Sequence, residues 1–183
     1  MEGAREGQES EDFRSSWRDE KDPGKSLQIA PDRLGYEKSM LEHLIKKPDD
    51  FVGAFKTLPN SLQLLMVHSA QSLAFNHSLS CRMESGMPII EPVEGDLVAP
   101  ILSNGRIDVG KMARVSSTNL VRCQRNCELG RLAVTGILPG SDSNHASCEP
   151  GDLEVQGIDA AGLSDVDWVC LLYTSDAADE CDS

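Results

Sequence analysis

Aromatic side chains are scarce in this chain of 183 residues: four Phe, two Trp and two Tyr, 4% of the total. Any core must therefore be mainly aliphatic, and a hydrophobic share of 39% allows a modest one. Long apolar runs are missing too. Nothing approaches the ~20 consecutive apolar residues of a membrane-spanning helix, which excludes that class. The opening stretch MEGAREGQESEDFRSS contains no apolar segment of the secretory type, so a cytoplasmic location is expected. In that setting the six cysteines read as reduced thiols, not as a disulfide framework. Basic residues are outnumbered, with 17 Lys and Arg against 30 Asp and Glu, a net charge of −13. That balance argues at first sight against a nucleic-acid binder, because phosphates are neutralised by Lys and Arg.

Motifs for common chemistries are also lacking. There is no strand–elbow–helix G-x-S-x-G, no Walker A loop and no dinucleotide fingerprint. Cys123 and Cys127 stand four apart without a second close pair, and Cys148 has only His145 nearby, so no metal is expected. Asp96 and Asp108 read as turn residues, and His68, amid apolar neighbours, reads as a satisfied core histidine. No cofactor site is evident.

What is present is a chain of clear punctuation. Residues 1–30 are rich in Glu, Asp, Arg, Ser and Gly, and predict a loosely ordered lead-in. Tyr36, Met40, Leu41, Leu44 and Ile45 then line one face of a helix over Leu34–Lys47, ended by Pro48. Asp49 and Asp50 are suited to cap a short helix through Phe51 and Phe55. From Leu62 to Glu84 there is neither Gly nor Pro. Apolar residues around that stretch predict a long helix buried on more than one side, capped by Gly86. Short strands follow: Leu97-Val98, a return over Lys111–Ser116 after the Asn104-Gly105 turn, and a buried strand over Leu132–Ile137. A helix over Asn119–Glu128 is expected to start at Ser117 or Thr118 and close at Gly130. A weaker helical segment over Glu149–Val169 is interrupted by Gly151, Gly157 and Gly162. The fold class is α+β, helices followed by a small mixed or antiparallel sheet.

One constellation stands out against the acidic background. Between Gly105 and Arg131 lie Arg106, Lys111, Arg114, Arg122, Arg125 and Arg131, with only Asp108 and Glu128 opposed. A local basic patch can track a phosphate backbone even on an acidic chain, since the local field governs binding. A solvated face pairing with acidic residues explains the same pattern equally well.

The C-terminal text has a different character. Cys170 to Glu180, CLLYTSDAADE, matches one reading frame of a common sequencing-library transposon adaptor. Residues 170–183 are therefore expected to be non-native, with the open reading frame running into adaptor after residue 169. Asp176, Asp179, Glu180 and Asp182 in that tail inflate the acidity.

His68-Ser69-Ala70-Gln71-Ser72-Leu73-Ala74-Phe75-Asn76, with Leu79, Ser80 and Arg82, resembles the H-A-x-Q-S-x-x-F-N-x-x-L-S-x-R signature of TruD-type tRNA pseudouridine synthases. It looks more like the archaeal and eukaryotic branch. Other blocks agree in order: Tyr36-Glu37, Met40-Leu41, Ala54 and Leu58-Pro59 upstream, then Pro92-Val93-Glu94-Gly95-Asp96, Arg114-Val115, Asn119-Leu120 and Gly136-Ile137-Leu138-Pro139-Gly140. The likeness covers roughly residues 11 to 169.

The resemblance implies a protein that isomerises uridine to pseudouridine in tRNA, chiefly in the D-arm region, without cofactor or metal. It implies that residues 31–169 correspond to the family's inserted α+β domain, with edges of the catalytic domain missing. The catalytic aspartate of the family then lies upstream, and neither Asp96 nor Asp108 matches it. Such a fragment is expected to be inactive by itself. Its partners are tRNA or another RNA and the missing catalytic domain of the same parent, with no membrane. Arg106, Lys111, Arg114, Arg122 and Arg125 become RNA-backbone contacts. His68, Gln71, Ser72, Phe75, Asn76 and Arg82 become structural, holding the helix in place. Apolar side chains are expected to lie exposed near the N-terminal helices and after Leu163, where the rest of the parent is cut away. The rival readings are a stand-alone RNA-binding module and an acidic protein-interaction domain.

Overall fold

The computed structural model describes residues 7–140 and 143–166. Over these it forms two compact units whose boundary falls inside one helix, between Leu65 and Met66.

The first unit is helical: α1 (Gln8–Glu20), α2 (Pro23–Ile29), α3 (Gly35–Lys46), α4 (Phe51–Phe55) and the first residues of α5 (Asn60–Glu84). Residues 8–29 thus correct the expectation of a loose lead-in. Phe13 and Trp17 are four apart and share a helix face, and the buried Phe13 lines one cavity with Trp17, Leu41, Leu44 and Ala54. The mean composition of the stretch hides this, because two aromatics suffice when α3 supplies the other side of the core. Asp22 then starts α2 by accepting the backbone N–H of Gly24 (2.9 Å) and Lys25 (3.1 Å), with Pro23 in the first turn. Asp50 caps α4 in the expected way, accepting Gly53 N–H at 2.9 Å, and it also meets His43 Nε2 at 2.9 Å.

The second unit takes the rest of α5, then β1 (Leu97–Pro100), β2 (Ala113–Arg114), α6 (Leu120–Glu128), β3 (Leu132–Val134) and α7 (Cys148–Ala160). The sheet is antiparallel throughout, in the order β2-β1-β3. Leu97 pairs with Arg114, and Ala99 with Ala133. The Asn104-Gly105 turn is present, with Gly105 at φ +79°, and Asn119 takes the N-cap position of α6 without a side-chain cap bond, one or two residues later than expected. Val98, Val115 and Cys123 form the buried cluster, with Leu120, Cys127, Leu132 and Val134 packed around it. β3 lies at the sheet edge and is half-buried, not buried as its β-branched composition suggested.

Two glycines expected to interrupt the last helix lie inside it. α7 runs unbroken through Gly151 and Gly157, and a Cβ on Gly157 would run into the backbone of Ser78. The absent side chain permits close helix–helix approach, which outweighs the low helix propensity of glycine. Gly162, at φ +70°, comes just after the helix ends.

The long helix differs from expectation in one respect. α5 is buried along one face only, at Gln63, Val67, Ala74 and Ser78, while Leu65 (60% exposed), Met66, Leu73 and Met83 are open to solvent. In the first unit Tyr36, Ile45, Phe51 and Val52 are exposed as well, as expected for that region. The residues from 167 on, including the 170–183 tail, lie outside the described residues.

Candidate nucleic-acid interface

The six basic residues between Gly105 and Arg131 all fall in the second unit. Arg106 follows the Asn104-Gly105 turn, its own N–H donated to Asn104 Oδ1 at 3.0 Å. Lys111 closes a 3-10 turn over Val109–Lys111, and Arg114 is on β2. Arg122 and Arg125 are on α6, three apart, and Arg131 immediately precedes β3. All six are exposed.

Their engagements differ, which charge counting could not reveal. Lys111 Nζ pairs with Asp108 at 3.2 Å and Arg125 with Glu128 at 2.8 Å, both as neighbours three apart on the surface. Exposed pairs of this kind hold about 0–1 kcal/mol and yield readily to a stronger anion. Arg114 is committed locally, donating to the carbonyls of His145 (2.8 Å) and Gly95 (3.5 Å). The side chains of Arg106, Arg122 and Arg131 have no hydrogen bond or ion pair among the described residues.

The signature residues divide between two faces of α5. Gln71 Nε2 donates to the Pro139 carbonyl at 2.7 Å, tying the helix to the segment after β3. The Phe75 ring lies against Gly136, where a Cβ would clash with it. Arg82 makes a two-pronged pair with Asp96, Nη1 to Oδ1 at 2.6 Å and Nη2 to Oδ2 at 2.8 Å, and Nε donates to the Pro88 carbonyl. Asp96, 1% exposed, also accepts Val93 N–H at 2.8 Å, so this pair pins the Pro92–Asp96 turn to the helix. His68, Ser72 and Asn76, four apart, fall on the exposed side. The core reading of His68 is corrected accordingly: its apolar neighbours Leu64, Leu65 and Met66 are themselves exposed.

Among carboxylates, Glu154 was not singled out from sequence. It is buried in the second turn of α7, accepts Ala146 N–H at 2.9 Å, and burial raises its pKa above the ordinary glutamate value. A perturbed, buried carboxylate is a catalytic candidate on general grounds. The cavity it lines with Phe75, Leu79, Arg82 and Thr135 holds about 170 Å³, below the ~300 Å³ at which small-molecule pockets begin. A nucleotide does not fit there. Asp96 and Asp108 are both engaged with cations. Among the described residues no group of three His, Cys, Asp or Glu is placed to hold a metal ion, and no helix is long and apolar enough to cross a membrane.

The family model for tRNA pseudouridine synthase D (TruD) matches residues 1–174. This chain belongs to the TruD family. A probable tRNA pseudouridine synthase D of Methanosarcina mazei is 36% identical over 159 residues, covering 87% of this chain and 36% of that protein. That of Halobacterium salinarum strain R1 is 38% identical over 143 residues, covering 75% of this chain and 33% of its own length. The crystal structure of a putative TruD from Methanosarcina mazei superposes with a TM-score of 0.75 at 33% identity, over 93% of this chain and 40% of that one. The chain therefore spans about a third of the length of these curated TruD relatives, and its α+β fold is that of the corresponding part of a TruD structure.

Proposed function

We propose that this chain is the inserted-domain portion of a TruD-type pseudouridine synthase, and that it supplies RNA-binding surface to an isomerase whose reacting carboxylate lies outside it. The whole enzyme converts uridine to pseudouridine in tRNA. The single observation that carries this reading is the pairing of TruD membership at a third of the relatives' length with six exposed basic residues between Arg106 and Arg131. Breaking the C1′–N1 bond and rejoining at C5 requires a carboxylate at the sugar and a uridine flipped into a closed pocket. Asp96 is locked by Arg82, Asp108 is paired, and Glu154 faces a cavity too small for a nucleoside.

In this reading Arg106, Lys111, Arg114, Arg122 and Arg125 face the RNA backbone. Gln71, Phe75 and Arg82 hold α5 to the sheet. The exposed side of α5, with Leu65, His68, Ser72, Leu73 and Asn76, meets the catalytic domain of the same parent. In this reading the parent works in the cytoplasm, and neither cofactor nor metal enters the scheme.

Incubation of the chain with unmodified tRNA is expected to yield no pseudouridine; turnover would overthrow the assignment of the carboxylate elsewhere. Binding to the same tRNA is expected to weaken steeply between low and moderate salt. Salt-independent binding, or none, would favour the protein-interaction reading.

A further inference from the structure

Within the basic face, one pocket differs from the rest. It is open, holds about 310 Å³, and is lined by Asn119, Arg122, Cys123, Asn126, Arg131 and Leu132. Two of these six carry a full positive charge and none is a carboxylate, in a chain of net charge −13. Both guanidinium groups lack a partner among the described residues, whereas Lys111, Arg114 and Arg125 are engaged.

The frame of the pocket is built. Asn119 Oδ1 accepts Ser116 N–H at 2.8 Å, and its Nδ2 donates to the Arg114 carbonyl at 3.1 Å. Asn126 Nδ2 donates to the Arg122 carbonyl at 2.7 Å. Gly130, at φ +66°, then reverses the chain, and Arg131 N–H closes back on the Asn126 carbonyl at 2.9 Å. That reversal lets Arg131 line the same pocket as Arg122, nine positions earlier on α6. Neither arginine is held there by a counter-ion among the described residues.

We propose that this pocket is a phosphate-binding site in which the guanidinium groups of Arg122 and Arg131 clasp one phosphate of the RNA backbone. Guanidinium is suited to the role because its planar N–H fork matches two phosphate oxygens, and two such forks on one phosphate fix its position as well as its charge. A metal ion is repelled by this lining, and an uncharged ligand leaves both arginines uncompensated. The inference rests on the RNA-binding reading above, and adds Arg131 to it as a residue that registers the RNA on this unit.

The test uses the full chain and two probes, an unmodified tRNA transcript and inorganic phosphate. The variant is Arg122→Gln with Arg131→Gln, compared with Lys46→Gln plus Lys56→Gln, which removes the same charge from the first unit. Circular dichroism melts check that both remain folded. Loss of the clasp is expected to weaken tRNA binding about tenfold at moderate salt and to make the log–log salt slope shallower by about 0.7–0.9. The lysine variant is expected to change affinity less than about twofold, the difference between distant and local charge. Inorganic phosphate is expected to shift the backbone amide resonances of Arg122, Asn126 and Arg131 saturably, and not those of the glutamine variant. Wild-type binding of tRNA with equal loss in both variants would overturn the pocket and leave the RNA reading intact. No tRNA binding, with localised phosphate shifts, would overturn the RNA reading and leave an anion site. Phosphate shifts spread over the surface, or absent, would overturn the pocket in either case.

Discussion

Replacing Arg82 with methionine removes a cation from one of the most enclosed polar contacts in the second unit. The Arg82 side chain is 12% exposed and that of Asp96 is 2% exposed, and the two share two short hydrogen bonds. Methionine keeps much of the arginine stem volume but leaves the Asp96 carboxylate with Val93 N–H as its remaining partner. Removing one member of a buried pair costs about 3–5 kcal/mol, because the other is left uncompensated. With a urea m value near ~1.5 kcal/mol/M, the midpoint of unfolding should fall by about 2–3 M. Far-UV circular dichroism follows the transition, and hydrogen exchange at the amides of β1 and α7 assigns it to the second unit. Asp96→Asn tests the charge separately. The double variant Arg82→Met, Asp96→Asn should be less destabilised than the two single losses summed, since neither leaves a naked ion behind. A midpoint shift under about 0.5 M, in the range of an exposed pair, would refute the reasoning. So would strict additivity in the double variant.

Gly157→Ala should lower stability by about 1–3 kcal/mol despite alanine's better helix propensity, because the new methyl meets the Ser78 backbone and forces α7 away from α5; a stabilised variant in the same urea assay would show that the helices part freely. Glu154, whose pKa is raised by burial, makes the fold less stable as pH rises from the ordinary glutamate value through the raised one, since the native state then holds the proton more tightly. Glu154→Gln should remove that decline, and parallel stability–pH curves for the two proteins would contradict it. Asp50 has the opposite sign: the hydrogen bond from His43, then that from Gly53 N–H, lowers its pKa, so its stabilising contribution is present near neutrality and lost as pH falls through the lowered value. Asp50→Ala should flatten the acid limb of the stability curve, as read by melts between neutral pH and strong acid.

Much of the chain's local order was legible in its residues because caps and turns act through near neighbours. Asp50, the Asn104-Gly105 turn and the clean run through α5 each place an element within a residue or two of where it lies. The family could be read from the α5 signature and the ordered blocks around it. The helices of residues 8–29 were missed because composition averages away the spacing of Phe13 and Trp17. Gly151 and Gly157 were misread because propensity says nothing of a neighbouring helix that needs the missing side chain.

The candidate interface divides in the same way. Charge and order along the chain are properties of the residues themselves, so the island from Arg106 to Arg131 was determined by sequence. Which of those cations remain unpaired depends on contacts across the fold: Arg114 reaches the His145 carbonyl 31 residues away, and the Gly130 reversal brings Arg131 to α6. The two faces of the signature helix also separate only in three dimensions, where Gln71, Phe75 and Arg82 meet the sheet side and His68, Ser72 and Asn76 do not. Sequence determined the family, most of the element types after residue 30 and where the positive charge lies. Tertiary packing decided which of those charges is still free to hold a ligand, because pairing is set by distance in space and not by distance along the chain.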